Sequence, residues 1–260
     1  MRAMKLALRL RAYDWMAALI ELVIVVVGIL IALQVSNWNQ DRVDHARAEG
    51  YYQRLHAELI AEQRNIDDTL MFWKKVSAYG QTAIANGETG QRADGSNWKT
   101  VLAWYQASQI MPFELQDTTY TEMRDGGGLV LIDKKGLREQ LAEYYQLAGT
   151  GITANILHHD PAYRVQIRGL TPWHVQQYIW AKCFTEGTSA NAVNQQLIDC
   201  PSPISEDEAA AILDTYRHSD TLLQNLRSWM STLSVSTIVL VATRHNTTSL
   251  AAAVQAAQAR

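Results

Sequence analysis

The chain of 260 residues is poor in the features that mark most specialised classes. It has only 2 cysteines, which leaves no C-x-x-C redox site and no four-cysteine zinc site. Its 5 prolines and 14 glycines exclude collagen, mucin-like stalks and a disordered tail. Charge of one sign is lacking too, since the net charge is −3 and no Lys/Arg-rich block occurs. Nucleic-acid binding needs a concentrated positive surface, and none is visible. No G-x-S-x-G elbow or H-E-x-x-H pair is present, and Asp125-Gly126-Gly127-Gly128 is followed by no Gly-Lys-Ser/Thr, so it reads as a turn rather than a phosphate loop.

Long apolar runs are lacking as well, with one exception. Residues 16–35 hold 18 apolar residues in 20, interrupted only by Glu21 and Gln34. About 20 such residues cross a hydrocarbon core of roughly 30 Å, and Trp15 and Trp38 stand at the two rims as interfacial anchors. Arg2, Lys5, Arg9 and Arg11 precede the run against Asp14 alone, whereas Arg42 and Arg47 follow it against Asp41, Asp44 and Glu49. The positive-inside bias places residues 1–14 in the cytoplasm, 15–38 in the bilayer and 39–260 outside. The rival readings are a cleavable signal peptide, which lacks a small-x-small exit at Ala32–Trp38, and a buried helix of a soluble protein, which rarely stays apolar on every face for five turns.

The exterior residues read as helical. Tyr52, Leu55, Leu59, Ile66, Trp73 and Val76 recur at helical spacing, which predicts that the membrane helix continues outward to Asn86-Gly87-Glu88-Thr89-Gly90. A short helix from Trp98 to Gln109 is expected next. Thr119-Tyr120-Thr121-Glu122 has capping-box spacing, Asp133 can cap a helix through Leu137, Leu141 and Tyr144, and Thr171-Pro172 can open one that reaches Cys183. Ser205-Glu206-Asp207-Glu208 is the clearest start signal, leading a stripe from Ile212 through Leu226 and Leu233 to Leu240. Its length predicts an antiparallel partner for the post-membrane helix, while Ser249–Arg260 reads as a weakly helical tail. The fold class is therefore all-α, a single transmembrane helix continuing into an exterior helical bundle. Most of the exterior aromatics, Trp73, Trp98, Trp104, Tyr105, Trp173, Tyr178, Trp180 and Trp229, are expected in its core, with an aromatic ligand cleft as the alternative.

Cys183 and Cys200, both in the part placed outside, read as a disulfide; the alternative is a pair of buried thiols. Glu21 is the most unusual residue, because an ionisable group in a membrane span usually faces a partner, a cavity or a pore. It shares a stripe with Gly28, Ala32 and Ser36, a ladder of small residues that lets helices approach closely. The competing reading is a Glu21 hydrated near the interface. His158-His159-Asp160 with His174 is the only grouping that suggests a metal, and its spacing gives zinc no two ligands from one helix face. No catalytic, metal or cofactor set is expected.

The run Glu21-Leu-Val-Ile-Val-Val-Val-Gly28-Ile-Leu-Ile-Ala32-Leu-Gln34-Val-Ser36-Asn37-Trp38-Asn39 resembles the N-terminal signature of a bacterial family of membrane proteins known only as a domain of unknown function. Thr119-Tyr120 and Gly128-Leu-Val-Leu-Ile-Asp133-Lys-Lys-Gly-Leu137-Arg138 resemble that family's second motif. The chain departs at Ser36, where the family usually has Asn. The resemblance implies a bacterial one-pass protein with a helical domain, and no particular activity.

The expected partners are the lipid bilayer and either a second copy of the chain or another membrane protein. An inner-membrane scaffold or accessory subunit with a periplasmic domain fits best. A ligand sensor that signals through a partner, a homo-oligomeric channel around Glu21 and, last, a histidine-based hydrolase are the alternatives.

Overall fold

A computed structural model describes residues 2–111, 113–132, 135–150, 160–185 and 196–258, with side chains throughout except at 2–14, 135, 149 and 150. Its first element, α1, is one uninterrupted helix, Arg2–Thr89, of 88 residues, about 130 Å long at 1.5 Å per residue. The expected run across the membrane segment and beyond is therefore continuous, and Gly50 does not break it. It ends at Gly90, whose φ of 75° is the left-handed conformation that closes helices. The remaining helices are α2 (Asn97–Gln106), α3 (Thr118–Asp125), α4 (Lys135–Thr150), α5 (Ala162–Leu170), α6 (Trp173–Lys182), α7 (Glu206–Arg217) and α8 (Leu222–Gln258). Among the described residues the only extended pairing is one antiparallel bridge, Phe184 to Leu197.

The spine is the antiparallel pair of α1 and α8 that the stripe lengths predict. Charged and polar contacts fix its register from end to end: Arg227 to Glu88 at 2.5 Å, Arg244 to Asp67 at 2.9 Å, and the Gln258 amide donating to Glu49 at 2.7 Å. Two apolar cores flank it. The distal core gathers Ile66, Trp73 and Val76 of α1 with α2, α5, α6, α7 and the first half of α8. The proximal core gathers Tyr51, Leu55 and Leu59 of α1 with α3, α4 and Leu250, Ala251 and Val254 of α8. The alanine-rich end is thus the buried end of α8 rather than a loose tail, because its few large residues fall on one helical face.

Helix α2 is buried almost all round, as a helix enclosed by others must be. Four buried indoles find partners: Trp73 donates to Met111 O, Trp98 to Cys200 O, Trp104 to Asn86 Oδ1 and Trp229 to Ala107 O, all at 2.8–3.0 Å. A buried tryptophan needs such an acceptor. Trp173 and Trp180, in contrast, are exposed, so the aromatic count is not all core.

Several sequence signals resolve differently in space. The Thr119 capping box does not form. Helix α3 starts at Thr118, and Thr119 donates through N–H and Oγ to Glu58 of α1 instead, so a distant carboxylate serves the helix end. Thr171 closes α5 by donating to Ile167 O, and Pro172 precedes α6. The expected helix from Ser205 to Leu240 is two helices, parted at His218–Thr221; the bend lets α7 pack on α2 while α8 follows α1. Asp133 lies outside the described residues. Ser205 does cap its own helix, its Oγ accepting from Glu208 N at 3.1 Å, while Glu206 reaches across to accept from Ser96 Oγ and Asn97 N of α2. Ser205→Ala is expected to cost about 1 kcal/mol in a denaturant titration.

Candidate functional site

Residues 15–43 are exposed on every face, and no other described element covers them. The helix is long and apolar enough to cross a membrane. Trp15 and Trp38 are 68% and 65% exposed, and the Arg42 guanidinium sits 5.7 Å from the Trp38 ring centre. At about 100° per residue, Glu21, Gly28, Ala32 and Ser36 fall within an arc of roughly 80°. That arc is roughly opposite the face on which Tyr52, Leu55 and Leu59 meet the proximal core. A side chain at Gly28 would meet nothing within 4 Å. Followed outward, the same face of α1 carries the exposed Arg64 and Met71 and then Lys75, which donates to Leu197 O at 3.0 Å. Among the described residues the ladder is therefore unpartnered, and its apolar character stops with the membrane segment.

Cys183 and Cys200 lie at disulfide distance, with 5.1 Å between Cα atoms, the first at the end of α6 and the second ahead of α7. His158 and His159 lie outside the described residues. His174 is on exposed α6 with Nε2 3.1 Å from Glu208, which gives it a carboxylate partner rather than further ligands. Among the described residues no group of three or more metal-binding side chains is found.

The most unusual polar group of the exterior domain is one the sequence pattern hid. Glu62 is 1% exposed and sits on the buried stripe of α1 between Leu59 of the proximal core and Ile66 of the distal one. Its Oε2 accepts from Gln116 N at 3.4 Å, and its Oε1 has no partner. Burial pushes this carboxyl up to about 7, against weaker opposing bonds from Gln116 and Asn65. It acts on the Tyr144 and Tyr145 hydroxyls, and Tyr145 also feels two further acids, Glu58 of α1 and Asp117 ahead of α3. Tyr144 shares a hydrogen bond with Thr247 of α8, and the Tyr145 hydroxyl is buried without a partner. An acid at a stripe position was the signal available beforehand. Beside this joint, α4 and α8 enclose an open groove of about 550 Å³ walled by Leu147, Val239, Ala242 and Leu250, with Glu143 and Asn246 among its polar members.

No family model, curated protein or solved structure matches this chain. Its function therefore rests on its own geometry.

Proposed function

We propose that the chain is a single-pass inner-membrane protein with a cytoplasmic N-terminus, and that residues 39–260 form a periplasmic domain. It acts by oligomerising, or as a scaffold subunit of a membrane complex, through the face of Glu21, Gly28, Ala32 and Ser36. The observation that carries this reading is the ladder's position. It lies opposite the α8-bearing face, on a stretch that no described residue covers, so a second membrane helix can approach without displacing the exterior domain. Glu21 in such a contact would be hydrogen-bonded or protonated, which lowers the cost of placing it in the span. The basic residues Arg2, Lys5, Arg9 and Arg11, whose side chains lie outside those described, support the orientation. The likeness of residues 21–39 to the bacterial membrane family supports a one-pass anchor. A sensor that signals through a partner is the second reading, favoured by the unbroken run of α1 from the span to the far end of the domain.

Single cysteines in native membranes test the contact face. Oxidative crosslinking to dimers, or to a companion protein, is expected from Gly28→Cys and Ala32→Cys and not from Val23→Cys or Leu30→Cys on the opposite side. Gly28→Leu is expected to reduce association at least tenfold, which corresponds to about 1.4 kcal/mol. Equal crosslinking from both faces, or none from any position, would overturn the proposal.

A further inference from the structure

Arg164 and Arg168 stand one turn apart on α5, and both side chains are half-buried. Arg164, with 17% of its side chain exposed, donates to Ser108 O at 2.7 Å and has Nε 3.0 Å from Asp160. Arg168 donates from one terminal nitrogen to Gln109 Oε1 at 3.2 Å, and its guanidinium lies 5.7 Å from the Tyr105 ring centre and 5.2 Å from that of Trp180. Gln109 in turn donates to Gln106, and Gln106 to Cys183 O, so the cationic end is held by a buried polar chain. Trp180 is 43% exposed and stacks on Phe184 at 5.0 Å, forming an aromatic ledge beside Arg168.

Two cations share one acid here. Asp160 is the only carboxylate among the described residues that acts on either arginine, and it is itself mostly exposed. Among the described residues Arg168 Nε has no hydrogen-bond acceptor, and Arg164 Nε has only its ion pair with Asp160. Burial holds both guanidiniums below the usual arginine range, and for Arg164 the neighbouring Arg168 adds to this. Enclosed charge of one sign is costly unless an opposite charge joins it. Guanidinium forks match carboxylate and phosphate oxygens in pairs.

We propose that Arg164 and Arg168 form a binding site for one oxyanion, a carboxylate or phosphate group, with Trp180 as a ledge for the rest of the ligand. The site cannot draw on headgroups of the membrane in which α1 would sit. The segment Ala107–Met111 that it rests on is level with Trp73 and Trp229, and α1 rises about 50 Å from Trp38 to Trp73. A soluble anion is the remaining source. This inference does not depend on the membrane contact face.

Equilibrium dialysis of the full chain in detergent micelles, at constant ionic strength, tests it with radiolabelled inorganic phosphate and, separately, benzoate. Saturable binding of one equivalent per chain is expected with at least one of them below about 1 mM. Saturation by phosphate assigns a phosphate-type ligand, and saturation by benzoate alone assigns a carboxylate. Arg168→Gln and Arg164→Gln are each expected to weaken binding at least tenfold, and Arg168→Lys, which keeps charge but loses the fork, to weaken it less. Failure of the wild-type chain to saturate with either anion overturns the proposal, whatever the variants do. So does wild-type affinity in a variant whose far-UV circular dichroism shows it folded.

Discussion

Replacing Glu62 by glutamine is expected to leave the exterior domain about as stable as the parent at pH 4, slightly more stable already at pH 5 and more stable by up to about 3 kcal/mol at pH 8. The cause is the carboxyl's position between two apolar cores, where burial raises it from an ordinary 4.5 to about 7. Below pH 4.5 the folded and unfolded chains both hold the proton, and the stability this group allows is fully present. Between 4.5 and 7 the unfolded chain releases the proton while the folded chain keeps it, so stability falls as pH rises. Above 7 the loss is complete, because an ionised carboxylate must then lie buried beside Tyr144 and Tyr145 with no cation among the described residues to meet it. Glutamine is neutral throughout and has nearly the same shape as the protonated acid. The check is a set of denaturant titrations of both proteins between pH 4 and 8; parallel curves would show that Glu62 is ionised or solvated after all. Tyr145→Phe provides a companion measurement. Its hydroxyl has no partner, so removing it is expected to cost less than about 1 kcal/mol.

The joint around Glu62 also shows which parts of this molecule can be read from sequence. Helix α1 was legible because its signal is periodic and local: apolar on all faces from 16 to 35, then apolar on one stripe. The α1–α8 pairing followed from two stripes of matching length. What escaped depends on contacts between distant segments. Glu58 looks like an ordinary surface acid of a long helix and Glu62 like an acid misplaced on the apolar stripe, and only the return of residues 116–119 gives them backbone and hydroxyl donors. The break at His218–Thr221 carries neither glycine nor proline, so periodicity alone joined α7 to α8. It is the packing of Tyr216 against Trp104 and Thr171 that turns the chain there. Arg164 and Arg168 have helical spacing, but the sequence does not reveal that Tyr105, Gln109 and Trp180 converge on them. Glu21, Gly28, Ala32 and Ser36 stand at the other extreme. Their spacing puts them on one face, and the folded chain adds that no described residue covers that face.

Replacing Cys183 and Cys200 together by alanine is expected to lower the stability of the exterior domain by about 3 kcal/mol, the chain-entropy value for a loop of this size. The sequence separation is 17, and both ends of the loop are held independently of the sulfurs. Thr185 N donates to Gln196 O at 2.9 Å and Ile198 N to Cys183 O at 3.1 Å, while Trp98 and Gln106 donate to the carbonyls of Cys200 and Cys183. The native geometry therefore has local support, and the loss should come mainly from the freer unfolded chain. The loss should also be uneven along the molecule. The cysteines belong to the distal core, whereas α3, α4 and the end of α8 pack around Leu55 and Leu59 on the far side of Glu62. Hydrogen exchange is expected to speed up in α6 and at the start of α7 and to stay near the parent rate in α3 and α4. Equal acceleration in both lobes would mean that the joint transmits unfolding between them. The same comparison bears on orientation, because a disulfide contributes only where it stays oxidised. Parent protein kept in a reducing compartment should match the double alanine variant to within the volume of two sulfurs. Protein inserted with its domain in the periplasm should exceed that variant by the full amount.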